Sequence, residues 1–137
     1  SEMVKPICKD VLFLSKKSEP AVPEDLPVCA DLMETVAAHP NCVGMAANMI
    51  GVNKRIIVVE TKDGLLLMIN PVIKEKSGPY QTMEACLSLD GEHSALRYKK
   101  ITVEYQDARF KKRIKRFADL DAQIVQHEMD HLEGILI

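Results

Sequence analysis

QHEMDHLEG, residues 126–134, sets His127 and His131 four positions apart with Glu128 directly after the first, an HExxH arrangement. On a helix, residues four apart share a face with Cβ atoms roughly 5–6 Å from each other, close enough for two imidazoles to hold one divalent ion. Glu128 then flanks the open side of the site, where a carboxylate can take a proton from water and later return it to a leaving amine. Shuffling this composition yields the pattern in roughly one chain in 150. The bland alternative is an amphipathic helix whose histidines sit in a satisfied polar environment. The pattern therefore points to a hydrolytic metal enzyme.

A catalytic tetrahedral site takes three protein ligands, and only Leu132, Glu133, Gly134, Ile135, Leu136 and Ile137 follow His131. Glu133 points to the other side of the helix, and Gly134 reads as its stop. The third ligand must come from upstream. Cys86 in MEACLSLDG (83–91) is the leading candidate, because a thiolate is a strong ligand for zinc or ferrous iron and the segment has turn chemistry. Cys8, Cys29 and Cys42 compete with it, and no two of the four cysteines form a CxxC pair that would suggest a separate structural zinc. Cys8 and Cys29 read as free thiols acting as small hydrophobes.

Working back from the motif, Leu120, Ile124, His127 and His131 form one stripe of the last helix, and Ala122, Val125, Met129 and Leu132 form a second apolar band. So few polar directions remain that this helix is expected at the centre of the domain, with Leu120 and Ile124 lining an apolar pocket before the metal. Asp119 is its expected N-cap. Cys29, Leu32, Met33, Val36 and Ala37 predict an amphipathic helix over about 26–38, closed by Pro40. Arg55–Glu60 and Leu65–Asn70 read as a hairpin, and Ile101–Tyr105 with Phe110–Phe117 as a second strand pair. The expected fold is α+β, a single domain over 1–137 with antiparallel sheets packed around the HExxH-bearing helix.

The chain has 137 residues, 47% hydrophobic, enough for a sizeable core. A formal charge of −2 gives no general nucleic-acid footprint, and KKRIKR at 111–116 reads as the exposed face of a strand, so no direct nucleic-acid binding is expected. Neither a signal peptide nor a membrane span is legible, and four unpaired-looking cysteines fit a reducing cytoplasm. His39 and His93 read as surface or loop histidines.

Two further segments join QHEMDHLEG in order: CVGMAANM at 42–49 and EACLS at 84–88. With them the chain resembles the peptide deformylase family, which is marked by GxGLAAxQ, EGCLS and QHExDHLxG. Lesser similarities are Ile50 and Gly51, Asn70 and Pro71, and the LMET run at 32–35. The resemblance implies a metal held by Cys86, His127 and His131 with a water in the fourth position, and Glu128 as general base and acid. It implies that the Leu87 backbone amide helps to hold the oxyanion, and that the region of Val43 and Gly44, with Met49, meets the substrate. Leu120 and Ile124 are the side chains we expect to line a pocket for methionine. The implied reaction removes the N-terminal formyl group of nascent formyl-methionyl peptides, releasing formate, with transient proximity to the ribosome. Ferrous iron is the implied physiological metal, with zinc, nickel or cobalt able to occupy the site. Family members commonly carry a further C-terminal helix or strand, so the chain reads as a compact version.

Three departures stand against that pattern. Met49 replaces the glutamine of the first motif and cannot donate a hydrogen bond to a developing oxyanion. Cys42 replaces the first glycine, placing a thiol beside the cleft. Ala85 replaces the glycine of EGCLS and forbids a positive φ there. Two functions from different classes follow: a working deformylase, or a relative that keeps the metal but has weak or no deformylase activity and serves as a binding or regulatory protein or acts on another amide. Glu128 favours the first, since a structural metal site has no use for an acid–base residue.

Overall fold

In the computed structural model, which describes residues 3–137, the long α2 (Leu26–Ala37) follows a single-turn α1 (Val11–Leu14). Five strands come next: β1 (Gly44–Ala46), β2 (Ile56–Thr61), β3 (Gly64–Cys86), β4 (Leu89–Gln106) and β5 (Lys112–Ala118), before α3 (Asp119–Leu132). All strand pairs are antiparallel, and they join in one sheet in the order β1 to β5. The architecture is α+β, as expected.

The residues Ile56 to Val59 of β2 are buried one after another, so both faces of this strand are covered, and both α2 and α3 pack against it. α2 buries Cys29, Leu32 and Val36 at the expected helical spacing. α3 also contacts β1, β4 and β5, and nine of its 14 residues are buried. Burying Ile124, Val125, Met129 and Leu132 contributes about 1.5–3 kcal/mol each, which offsets the cost of taking Gln126, His127, Glu128 and His131 out of water on the same helix.

Two sequence expectations change. The hairpin from Arg55 forms, with Val58 opposite Leu67, but β3 does not stop at Asn70 and β4 starts well before Ile101. These strands run on as a long arm in which most of β3 beyond Ile73 is exposed, so no apolar alternation marks it. Pro71 is tolerated because the register shifts between Ile69 and Val72, where no ladder N–H is called for. His93 consequently sits within β4, opposite Glu84, and not in a loop. Nor does Asp119 cap α3 from outside: β5 runs directly into the helix, Ala118 takes the N-cap position without a side-chain bond, and Asp119 is the first helical residue at φ 53°. At the other end Gly134 does close the helix, at φ 75° and so near the Ser15 carbonyl oxygen that a Cβ would collide with it.

Candidate active site

Gln126, the first letter of the HExxH stretch, fixes the helix that carries the site. β5 stops pairing with β4 at Lys100, and two residues further along β4 the Tyr98 backbone N–H donates to Gln126 Oε1 at 2.8 Å. Gln126 Nε2 returns a bond to the Tyr98 carbonyl at 2.8 Å, so the side-chain amide continues the ladder where the strand has ended. With α3 pinned to β4, His127 and His131 turn toward the end of β3. There Cys86 is the last strand residue before the Leu87–Ser88 turn into β4. This is the turn context expected of Cys86.

One donor atom each from Cys86, His127 and His131 lie within 4.8 Å of one another. The two histidine Nε2 atoms are 3.3 Å apart. Two ligands each about 2.0–2.1 Å from a tetrahedral ion stand about that far from each other, so the donor set fits one ion. The surroundings favour a single positive charge among these donors: burial works against charge on His127, but its contacts with Cys86 and Glu84 outweigh this and hold it up at about 10. Burial and the neighbouring His127 push His131 down to about 3. Cys42 lies outside the cluster and gives its thiol to the Gly44 carbonyl at 3.1 Å. Cys29 is a core thiol pushed up to about 11, by burial first and by Asp25, and among the described residues all four cysteines are free.

Behind His127 stands a carboxylate whose role the sequence did not disclose. Glu84 Oε1 is 2.7 Å from His127 Nδ1, which fixes the ring and leaves Nε2 to face the cluster. Burial opposes the charge of Glu84, yet bonds from His127, Arg97 and Gln123 hold its carboxyl down at about 2. Arg97 grips it with two bonds, Nε to Oε2 at 2.9 Å and Nη2 to Oε1 at 2.7 Å, and reaches Asp130 with Nη1 at 2.7 Å. Because Asp130 lies inside HEMDH, this one guanidinium ties the second motif to the third. Arg97 is 3% exposed, so its buried charge depends on these two acids for compensation. Asn48 braces the other histidine, donating from Nδ2 to the His131 carbonyl at 2.8 Å.

A cleft of about 430 Å³ opens on the cluster, and Val43, Gly44, Met49, Cys86, Leu87, Leu120, Ile124, His127 and Glu128 all line it. His131 sits deeper, fully buried. Glu128 is buried with Oε1 free of any partner, and burial pushes its carboxyl up to about 7 against the pull of His127. That is the range in which a carboxylate can accept and return a proton near neutrality. Gly44 is required here for space: a Cβ would stand 2.9 Å from Glu128 Oε2 and 3.0 Å from Ile124 Cγ2. Ala85 creates no strain, since the non-glycine residues with positive φ among those described are Asn70, Phe110 and Asp119. Met49 is 1% exposed, and its sulfur accepts the Ala46 N–H at 3.4 Å.

Residues 5–137 match the model of the polypeptide deformylase family. The chain is 52% identical over 136 residues to a peptide deformylase of Clostridium beijerinckii, covering 98% of this chain and all of that one. A solved structure of the class I type b peptide deformylase from Acinetobacter baumannii with Met-Ala-Ser bound superposes with a TM-score of 0.87 at 28% identity, over 97% of this chain and 96% of that one. The peptide deformylase of Thermus thermophilus superposes at 0.86 with 33% identity, over 97% and 83% of the two chains.

Proposed function

Because the chain belongs to the peptide deformylase family, we infer that it is a metal-dependent hydrolase that removes the formyl group from formyl-methionyl peptides and releases formate. The observation that carries this is the pairing of a three-donor cluster with the partnerless Glu128 carboxyl in one cleft. The alternative of a binding or regulatory protein has no such support. We read 1–137 as one catalytic domain.

Cys86, His127 and His131 would hold the single ion the family uses, and ferrous iron is the metal we propose for the cell, with zinc, nickel or cobalt able to replace it. A bound divalent ion polarises the formyl carbonyl and lowers the pKa of water. Glu128 takes the proton from water as oxygen attacks the formyl carbon, then returns it to the leaving α-amine. Glu84 and Arg97 keep the His127 ring in place throughout, and burial of His131 keeps its second proton off. The Leu87 backbone N–H stabilises the oxyanion from the β3–β4 turn. Val43, Gly44, Met49, Leu120 and Ile124 receive the substrate, with the methionine side chain against the apolar wall. The Acinetobacter baumannii relative, with Met-Ala-Ser bound, supports a peptide that begins with methionine as the product. Any approach to the ribosome would deliver substrate to this cleft. No helix among the described residues is long and apolar enough to cross a membrane.

Metal analysis of protein purified without oxygen tests the ligand set. We expect one equivalent in the wild type and no tight binding in Cys86→Ala. A full equivalent at unchanged affinity in that variant would remove Cys86 from the site.

A further inference from the structure

Gln123 lines the cleft from α3, beside Met83, Leu120 and Ile124, whose side chains offer no polar hydrogen. Its amide orientation is settled by two neighbours. Glu84 Oε2, which also accepts from Arg97 Nε at 2.9 Å, takes a bond from Gln123 Nε2 at 3.0 Å, and the Tyr80 hydroxyl donates to Oε1 at 3.4 Å. An amide nitrogen carries two hydrogens, and Glu84 occupies one. Gln123 is half-buried, so the other hydrogen belongs to a side chain that is both held in place and open to the cleft. Thioether sulfur is a weak acceptor, and this molecule already makes such a contact between the Ala46 N–H and Met49 Sδ.

We propose that Gln123 is a specificity-determining residue: its second Nε2 hydrogen meets the side chain of the substrate's first residue and favours methionine over a hydrocarbon of the same length. This rests on the deformylase reading of the cleft. Norleucine has the shape of methionine with CH₂ in place of sulfur, so it keeps the apolar contacts and loses the acceptor. Position 123 also touches Glu84, and through it His127, but a disturbance passed along that route acts on the formyl group common to both substrates. It lowers turnover of both alike. The ratio between them reads the sulfur contact alone.

The test compares formyl-Met-Ala-Ser with formyl-norleucine-Ala-Ser in the wild type, Gln123→Leu and Gln123→Met, the second variant guarding against misfolding of the first. The wild type should prefer methionine in kcat/KM by about two- to fourfold, the low end of what a neutral hydrogen bond contributes. Both variants should bring the ratio to near one with metal content unchanged. A wild-type ratio near one, or a ratio that persists in a folded variant, overturns the proposal. Calorimetric binding of unformylated Met-Ala-Ser and norleucine-Ala-Ser reads the same contact without turnover. If neither formylated peptide is hydrolysed but Met-Ala-Ser binds more tightly and loses that advantage in Gln123→Leu, the deformylase reading fails and the sulfur contact stands. Equal binding of the two peptides by the wild type overturns the contact.

Discussion

Met49 shows how one side chain can keep its structural bond while giving up a chemical one. Its sulfur satisfies the Ala46 N–H and leaves no hydrogen to offer an oxyanion. A glutamine of similar length could accept that N–H through Oε1 and turn Nε2 toward the cleft, meeting both demands. Removal of one oxyanion donor typically costs about 10²–10³ in kcat, so Met49→Gln should raise kcat on formyl-Met peptides by up to that factor with a smaller change in KM. Steady-state kinetics on both forms decides it; a fall in kcat would mean that another group already supplies the contact. The convergence of Cys86, His127 and His131, with Glu128 beside them, was legible in the sequence as a candidate site, because HExxH spacing and a thiolate near a turn carry their chemistry in their residue types. The roles of Glu84, Arg97, Asn48 and Gln123 were not. Each acts through a partner distant in the chain, and a lone glutamate or glutamine in a strand or helix does not announce its partner.

At the scale of elements, the last helix was legible nearly to its ends, since burial on several sides leaves an unmistakable apolar pattern. The outer halves of β3 and β4 were hidden for the opposite reason: they face solvent, contain Pro71 and Pro79, and pair by backbone bonds that impose no pattern on side chains. Gln126 is the joint between these two kinds of element. Gln126→Leu keeps the volume but strands the Tyr98 N–H and C=O, which should lower stability by about 1–3 kcal/mol and loosen the histidines' helix from β4. Denaturant unfolding measures the first effect, and faster amide exchange in α3 than in α2 measures the second. Equal exchange in both helices would mean that apolar packing alone holds α3.

Across the whole molecule, the three motifs meet because one antiparallel sheet wraps a central helix, and the Glu84–Arg97–Asp130 network ties that arrangement together from inside. Glu84 is held at about 2, below its ordinary 4.5, so the stability it contributes is complete above pH 4.5 and is lost as pH falls toward 2. The loss across that window should be on the order of 3 kcal/mol. Unfolding followed at stepped pH with a chelator present checks this, and Glu84→Gln, weaker at neutral pH, should flatten the slope; an unchanged slope would assign the acid sensitivity elsewhere. The central claim is that Glu128 moves the proton in hydrolysis of a formyl amide beside a metal that it does not hold. The most direct measurement is formate release from formyl-Met-Ala-Ser by nickel-loaded wild type and Glu128→Ala, with metal counted in each sample. We predict one equivalent of metal in both and a rate lower by about 10²–10⁴ in the variant; a fully active variant, or a metal-loaded wild type that releases no formate, would contradict the account.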